Sequence, residues 1–258
     1  MPLQNHNILW DPEKKHPKII VVMPAYYAQK TIKKTFRDLP LDLINEVILV
    51  DDASGDETVK AAKELGLTVY VHKENKGYGG NQKTCYDEAL KRNPDVIVMV
   101  HPDYQYDPKL VGVLCEPIVN GRADIMLGSR IQTRQQVLEG GMPLWKYFPN
   151  RFLTLVENLS MGLNLSEYHT GFRAFRADVL RSIPYHKFSD DFVFDQQILI
   201  SALSYGFNIS EIPVPCKYFP EASSTNFRRS TKYGLQTLWT VFTYLLHSIG
   251  IIKGKIFK

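Results

Sequence analysis

Cysteine is scarce in this chain: Cys85, Cys115 and Cys216 are the only three in 258 residues, and none stands in a CxxC spacing. So odd and dispersed a set excludes a disulfide framework and gives no zinc pattern, so a reducing, cytosolic setting is expected. The opening Met1-Pro2-Leu3-Gln4-Asn5-His6 lacks the basic start and apolar core of a signal peptide. Charge of one sign is not in excess, since 31 Lys and Arg against 27 Asp and Glu leave +4. That surplus suits a phosphorylated ligand or an anionic membrane surface, and is too small to imply nucleic acid. Internal repeats and low-complexity tracts are absent. The glycines of a dinucleotide fingerprint are missing from the first strand end, where Pro24-Ala25-Tyr26-Tyr27 stands instead. Gly77-Tyr78-Gly79-Gly80 comes only later, after Asn75-Lys76, so a nicotinamide-dependent oxidoreductase becomes a secondary reading.

What is present is an alternation. After a polar leader, 1–17, residues 18–23 read as a buried strand stopped by Pro24. A helix over 31–39, strand 46–50, helix 56–65, strand 67–71, helix 79–91 and strand 95–100 follow. Strands separated by helices of this length predict parallel βαβ units in one α/β domain. Ser54 is placed to cap the second helix, with Asp56 and Glu57 in its first turn.

A second half begins near Arg122, with a strand over 124–130 and a loop over 131–143 in which Gly140-Gly141 is a candidate hinge. Phe152, Leu155, Val156 and Leu159 recur at helical spacing from about Asn150, and a strand over 209–214 closes this half. Over 235–252 an apolar stripe of Leu235, Leu238, Trp239, Phe242, Leu245, Leu246 and Ile249 is interrupted by polar residues. It makes an amphipathic helix and a poor membrane span. With Arg228, Arg229 and Lys232 before it and Lys253, Lys255 and Lys258 after it, the helix fits an anionic membrane interface, its own core or a second subunit.

Two polar constellations end two apolar runs. Val47-Ile48-Leu49-Val50 runs into Asp51-Asp52-Ala53-Ser54-Gly55-Asp56, and Val96-Ile97-Val98-Met99-Val100 runs into His101-Pro102-Asp103-Tyr104-Gln105. Open α/β sheets bind ligands at the carboxyl ends of their strands.

Taken in order, Ile20-Val21-Val22-Met23-Pro24-Ala25-Tyr26, Val50-Asp51-Asp52-Ala53-Ser54-Gly55-Asp56, Asn75-Lys76-Gly77, His101-Pro102-Asp103, Gly128-Ser129-Arg130 and Thr170-Gly171-Phe172-Arg173-Ala174-Phe175 resemble a family 2 glycosyltransferase. Within that family the later motifs are most similar to the polyprenyl-phosphate sugar synthases. The resemblance covers about 18–220 and implies a GT-A fold, a mostly parallel Rossmann-like sheet flanked by helices. A nucleotide-sugar half (18–121), an acceptor half (122–220) and a basic amphipathic C-terminal helix (221–258) are expected.

By the same resemblance, Pro24, Ala25 and Tyr26 line the base pocket, Asp51 meets the base, Asp52 lies near the ribose, and Lys76 and Gly77 lie beside the nucleotide. The family's metal motif is Asp-x-Asp, whose carboxylates hold Mg2+ or Mn2+ on the diphosphate. Here Asp103 matches the second acid and Gln105 an auxiliary position, while His101 replaces the first acid. His101 is left open between a nucleotide contact, a ligand to a softer ion and a strand end. Arg130 and Arg173 are candidates for bidentate phosphate binding, with a structural ion pair the alternative for Arg173. His169 reads as structural.

Gln197 stands where the family has a glutamate base, so Asp195 or Asp191 would have to serve. A hydroxyl acceptor needs such a base, whereas a phosphate monoester is already anionic. The expectation is therefore a metal-dependent, inverting transfer from a nucleotide sugar to polyprenyl phosphate at the cytosolic membrane face. Transfer to a saccharide hydroxyl and a non-catalytic nucleotide-sugar module are the alternatives, and a homo-oligomer is compatible with both.

Overall fold

The computed structural model describes residues 16–131, 133, 135, 137, 140–216 and 227–258. Seven strands, β1 (Ile19–Ala25), β2 (Glu46–Asp51), β3 (Thr68–Val71), β4 (Val96–Met99), β5 (Ile125–Ser129), β6 (Arg173–Arg176) and β7 (Ile209–Pro213), join in one sheet. Their order is β3-β2-β1-β4-β6-β5-β7. β6 runs antiparallel to β4 and β5, and the remaining pairs are parallel. The helices are α1 (Ile32–Arg37), α2 (Thr58–Glu64), α3 (Gly77–Leu90), α4 (Val111–Val119), α5 (Leu144–Met161), α6 (Ala177–Ser182), α7 (Phe194–Ser204) and α8 (Phe227–Ser248).

The central strands β1, β2 and β4 read as near-continuous apolar runs because both faces of the sheet are covered there. Ile20, Val22, Ile48, Val50, Ile97 and Met99 pack with Cys85 and Tyr86 of α3 and Ile198 and Leu199 of α7. The alternate residues Val21, Met23, Val47, Leu49, Val96 and Val98 pack with Ile32 of α1, Ala61 of α2 and Leu114 and Ile118 of α4. The period of two along a strand thus divides each run between two cores.

Strand order reverses between β1 and β4, which opens a crevice at their carboxyl ends. The register aligns Ala25 with Asp51 across β1 and β2, and Val22 with Met99 across β1 and β4. The non-glycine residues Tyr27, Ala53 and Tyr104, each just past one of these three strand ends, all have positive φ (53°, 60° and 58°). Such backbone is unfavourable for these residue types and gathers where function fixes the chain.

Three sequence expectations are corrected. The Ser54 hydroxyl accepts from the Tyr27 amide (2.8 Å) instead of capping α2, and Asp56 takes the Thr58 amide (3.1 Å). α5 begins at Leu144, not near Asn150, with Pro149 inside it. The last helix ends at Ser248. The tail beyond it folds back, placing Phe257 in the core and hydrogen-bonding the Lys258 amide to Ser204 Oγ (3.2 Å). Of the expected cover loop, residues 132, 134, 136, 138 and 139 lie outside the described residues, as do the leader to residue 15 and residues 217–226.

Candidate active site

Two cavities meet at the crevice. The larger, about 880 Å³, is lined by Pro24, Ala25, Tyr26, Asp52, Asn75 and Gly77 among others. The second, about 470 Å³, runs between α5 and α8. Tyr78, His101, Asp103, Phe192 and Tyr233 line both.

On the larger side, Asp51 is fully buried beneath the lining. Its Oδ2 accepts from the Ser54 amide (2.8 Å), while Oδ1 has no partner among the described residues. Asp52 has both oxygens engaged. Oδ1 accepts from the Lys76 amide (2.8 Å) and faces His72 Nδ1 (2.7 Å), and Oδ2 accepts from the Gly77 amide (3.1 Å). It therefore anchors the start of α3. Gly77 holds φ +84°, and a Cβ there would stand 2.8 Å from the Asp190 carbonyl, so only glycine fits this turn. Lys76 is exposed and does not line the cavity. Residues 189–192, Lys232 and Gln236 complete the wall, so this cavity is not confined to motifs before residue 131.

At the junction, His101 lies against the Tyr78 ring (centroids 5.6 Å, interplanar 9°), which stacks in turn on Phe192 (4.6 Å). The other side of the imidazole is Gly171, where a Cβ would come within 2.8 Å of Nε2. Burial pushes the His101 imidazole below its ordinary value, while Asp103 and Asp195 pull it up and Arg173 pushes it down. Asp103 Oδ1 accepts from the Gln105 amide (3.0 Å), and its other oxygen makes no hydrogen bond among the described residues. Pro102 gives its carbonyl to Thr31 (2.5 Å). Among the described residues no group of three His, Cys, Asp or Glu could hold a metal ion unaided.

The smaller cavity carries its cations on an apolar wall. Arg130, Lys146, Asn150, Gln105 and Tyr106 share the lining with Met142, Trp145, Phe152, Leu153, Leu235 and Leu238. Arg130 pairs with the fully buried Glu167, donating from Nε (3.0 Å) and Nη2, and its Nη2 also reaches the His169 carbonyl. Its bidentate capacity is therefore spent on protein, although the residue lines the cavity. Despite burial, which alone would raise it, Glu167 is held below the usual carboxylate range by Arg130. Lys146 is pushed down by burial and by the Arg130 charge. Asn150 donates to Glu167 (2.8 Å), while its buried Oδ1 has no partner. Lys146 and Asn150 escaped the sequence reading because Pro149 masked the start of α5. The recurrence of Leu144, Phe148, Phe152, Leu155 and Leu159 was the available signal.

Arg173 is a correction. It is 1% exposed on β6, lines neither cavity, and donates to the carbonyls of Thr170 (2.5 Å), Asp195 (2.8 Å) and Tyr168 (3.1 Å). Placed inside the sheet opposite Met99, it is a buried structural cation and cannot reach a ligand phosphate. Asp195 accepts from Tyr78 (2.8 Å) and Gln82 (3.0 Å) and lies 3.5 Å from Arg173 Nη1. Asp191 accepts from Lys232 (2.6 Å). Burial would raise Asp191, but Lys232, the Phe192 amide and Arg229 hold it below its ordinary value. Neither acid is an uncommitted base.

The family model "Glycosyl transferase family 2" matches residues 20–183. The UDP-N-acetylglucosamine–dolichyl-phosphate N-acetylglucosaminyltransferase of Methanococcus voltae is 28% identical over 227 residues, 81% of this chain and 90% of that protein. The undecaprenyl-phosphate mannosyltransferase of Micrococcus luteus is 28% identical over 208 residues, 76% of this chain and 82% of that protein. Among solved structures, glucosyl-3-phosphoglycerate synthase from Mycobacterium tuberculosis superposes with a TM-score of 0.70 at 19% identity, covering 89% of this chain and 80% of that one. The same synthase has been solved with Mn2+ and UDP. At that identity the likeness speaks for the fold alone. The match across both strand-end motifs, on a sheet whose crevice joins two cavities, sets aside the nicotinamide reading: the chain belongs to glycosyl transferase family 2 and is a glycosyltransferase of GT-A fold.

Proposed function

We propose that the chain moves a sugar from a nucleotide-diphosphate sugar to a polyprenyl phosphate, with inversion at the sugar carbon. The observation that carries this reading is the smaller cavity, where Arg130 and Lys146 sit together on an apolar wall. Burial and, after it, the neighbouring Arg130 charge depress the lysine, and an anion bound beside it offsets both. The acceptors in the names of the two relatives, dolichyl phosphate and undecaprenyl phosphate, have this chemistry.

In this reading the larger cavity takes the donor. Pro24, Ala25 and Tyr26 face the base, and the unpartnered Asp51 Oδ1 accepts a base N–H. Asp52 acts through the backbone, fixing the Lys76–Gly77 turn so that Gly77 forms the cavity wall beside the nucleotide. Asp103 fits a divalent ion, Mg2+ or Mn2+, because one of its oxygens is uncommitted; Gln105 and His101 are the neighbouring donors. The ion, completed by diphosphate oxygens, would stabilise charge on the leaving group. The protein's own part is alignment. Arg130 and Lys146 hold the acceptor phosphate on the face of the sugar away from the diphosphate, so that its oxygen anion attacks directly. With Asp195 and Asp191 both committed, an acceptor that is already anionic needs no base.

Loss of Lys146 tests the acceptor half. Lys146→Ala is expected to weaken binding of a short-chain prenyl phosphate about tenfold, the order of one charge-assisted hydrogen bond, and to leave nucleoside diphosphate affinity unchanged. Calorimetry showing unaltered prenyl phosphate affinity would remove the anion subsite.

The mouth of this cavity lies beside a two-helix apolar face. Leu144, Phe148, Phe152, Leu155 and Leu159 of α5, and Leu235, Trp239, Phe242 and Leu245 of α8, are all exposed. No helix among the described residues is long and apolar enough to cross a membrane. The proposed arrangement is peripheral, with this face in the cytosolic leaflet and Lys253, Lys255 and Lys258 near its headgroups. Phe148→Glu with Trp239→Glu should abolish sedimentation with anionic vesicles. Wild-type binding should fall as salt shortens the Debye length below about 8 Å. Vesicle binding unchanged by both charges would contradict the arrangement.

A further inference from the structure

Behind the acceptor cavity lies a polar cluster that the transfer does not use. Glu157, on α5, is fully buried, and neither of its carboxylate oxygens has a hydrogen-bond partner among the described residues. His169 Nε2 stands 3.1 Å from Glu157 Oε2. On the other edge of the ring, Nδ1 lies 2.8 Å from the Tyr233 hydroxyl and 2.8 Å from Gln196 Nε2. The Gln196 amide also donates to the Tyr233 oxygen (2.8 Å). The cluster therefore joins α5, the segment before β6, α7 and α8.

The chemistry gives this chain of contacts a direction. His169 Nε2 and the Glu157 carboxylate are in charge contact without an aligned hydrogen bond, and the anion's charge favours the tautomer with its proton on Nε2, which leaves Nδ1 with its lone pair. Nδ1 then accepts from the Tyr233 hydroxyl, and the Gln196 amide satisfies the phenol oxygen. Burial, helped by the Glu157 and Asp195 charges, pushes the Tyr233 phenol well above its ordinary value, so it remains a donor.

Farther along, α8 packs on the core through Val241 and Tyr244. Among the described residues its buried side chains are Thr237, Thr240 and Val241, and the Thr237 hydroxyl is without a partner. At the start of α8, Lys232 reaches Asp191 and Tyr233 reaches His169, and Tyr233 forms wall to both cavities.

We propose that Glu157 and His169 are positioning residues, which hold the Tyr233 hydroxyl, and with it the first turns of α8, at the wall where donor and acceptor meet. The proposal rests on the acceptor reading above. Removing the bond leaves the sugar site intact and lets the acceptor wall drift, so both acceptor affinity and turnover fall.

Tyr233→Phe deletes the hydroxyl and keeps the ring, so folding is not at stake. In the full chain, amide hydrogen exchange over 228–238 should quicken about fivefold to tenfold, with β1, β2 and β4 unchanged. The KM for polyprenyl phosphate should rise and kcat fall, while nucleoside diphosphate affinity holds. Glu157→Gln, which turns an N–H toward Nε2, should reproduce this pattern, and the double variant should be no worse than either single one. Unchanged exchange in both single variants overturns the proposal, as does faster exchange with wild-type transfer kinetics. A wild type that does not glycosylate polyprenyl phosphate defeats the acceptor reading; the positioning role is then decided by whether donor hydrolysis falls in Tyr233→Phe.

Discussion

Asp103→Asn is expected to lower turnover by about a thousandfold while the protein stays folded. Among the described residues, Asp103 is the one acid that lines both cavities, and one of its oxygens makes no hydrogen bond. A cation bridging a diphosphate contributes several kcal/mol to leaving-group stabilisation, and each 1.36 kcal/mol is about tenfold in rate. The amide keeps the size and the acceptor oxygen for the Gln105 amide, so stability should barely move. Turnover within a few-fold of wild type, measured with Mn2+ present, would remove the metal assignment. His101→Ala should cost less, since a neutral ring wedged between Tyr78 and Gly171 adds no charge to the ion. His101→Asp, which restores the family's first acid, should retain activity.

Glu167→Gln is expected to be the most destabilising single change around the acceptor cavity, by about 3–5 kcal/mol, because it strips a buried cation of its partner. Glu167 receives the Arg130 guanidinium and amide and the Asn150 side chain, and has no exposure of its own. Its folded value lies below the ordinary one, so the stabilisation is present above the usual carboxylate range, near 4.3. It is lost as pH falls through the lower folded value. Urea midpoints at neutral pH should therefore separate wild type from variant widely, and the gap should close on acidification. A neutral-pH midpoint within about 1 kcal/mol of wild type would show that Arg130 is held by other means.

The fold was legible where physics is local. Apolar runs with period-two division, helices between them and turn residues at their ends placed β1 to β5 and β7 within a residue or two. β6 was not, because Arg173-Ala174-Phe175-Arg176 carries two charges into the middle of a sheet. Only tertiary partners, Asp195 for Arg173 and Asp124 for Arg176, make that strand tenable. For the same reason sequence left Arg173 open between a phosphate ligand and a structural ion pair.

At the site, the strand-end residues were named from sequence, whereas the residues that share their cavities were not. Tyr78, Lys146, Asn150, Phe192 and Tyr233 come from four separate segments, and only Lys146 and Asn150 have a local signal, the helical recurrence from Leu144 to Leu159. Asp52 shows a subtler limit. Its position beside Asp51 is readable, but that both oxygens serve Lys76, Gly77 and His72 depends on how the chain returns 20 to 25 residues later. The amphipathic stripe of α8 was plain, yet whether it faced core, partner or membrane depended on α5, whose apolar residues extend the same exposed face.

The central claim is that the acceptor is a phosphate at the end of an isoprenoid chain. It is tested most directly by giving the purified protein a labelled nucleotide sugar, Mn2+ and either a polyprenyl phosphate or the same polyprenol without its phosphate, and resolving the products by mass and anomeric NMR. The expected result is an inverted glycosyl phosphodiester from the phosphate and no product from the alcohol. Transfer to the alcohol, or to a saccharide hydroxyl, at a comparable rate would contradict it.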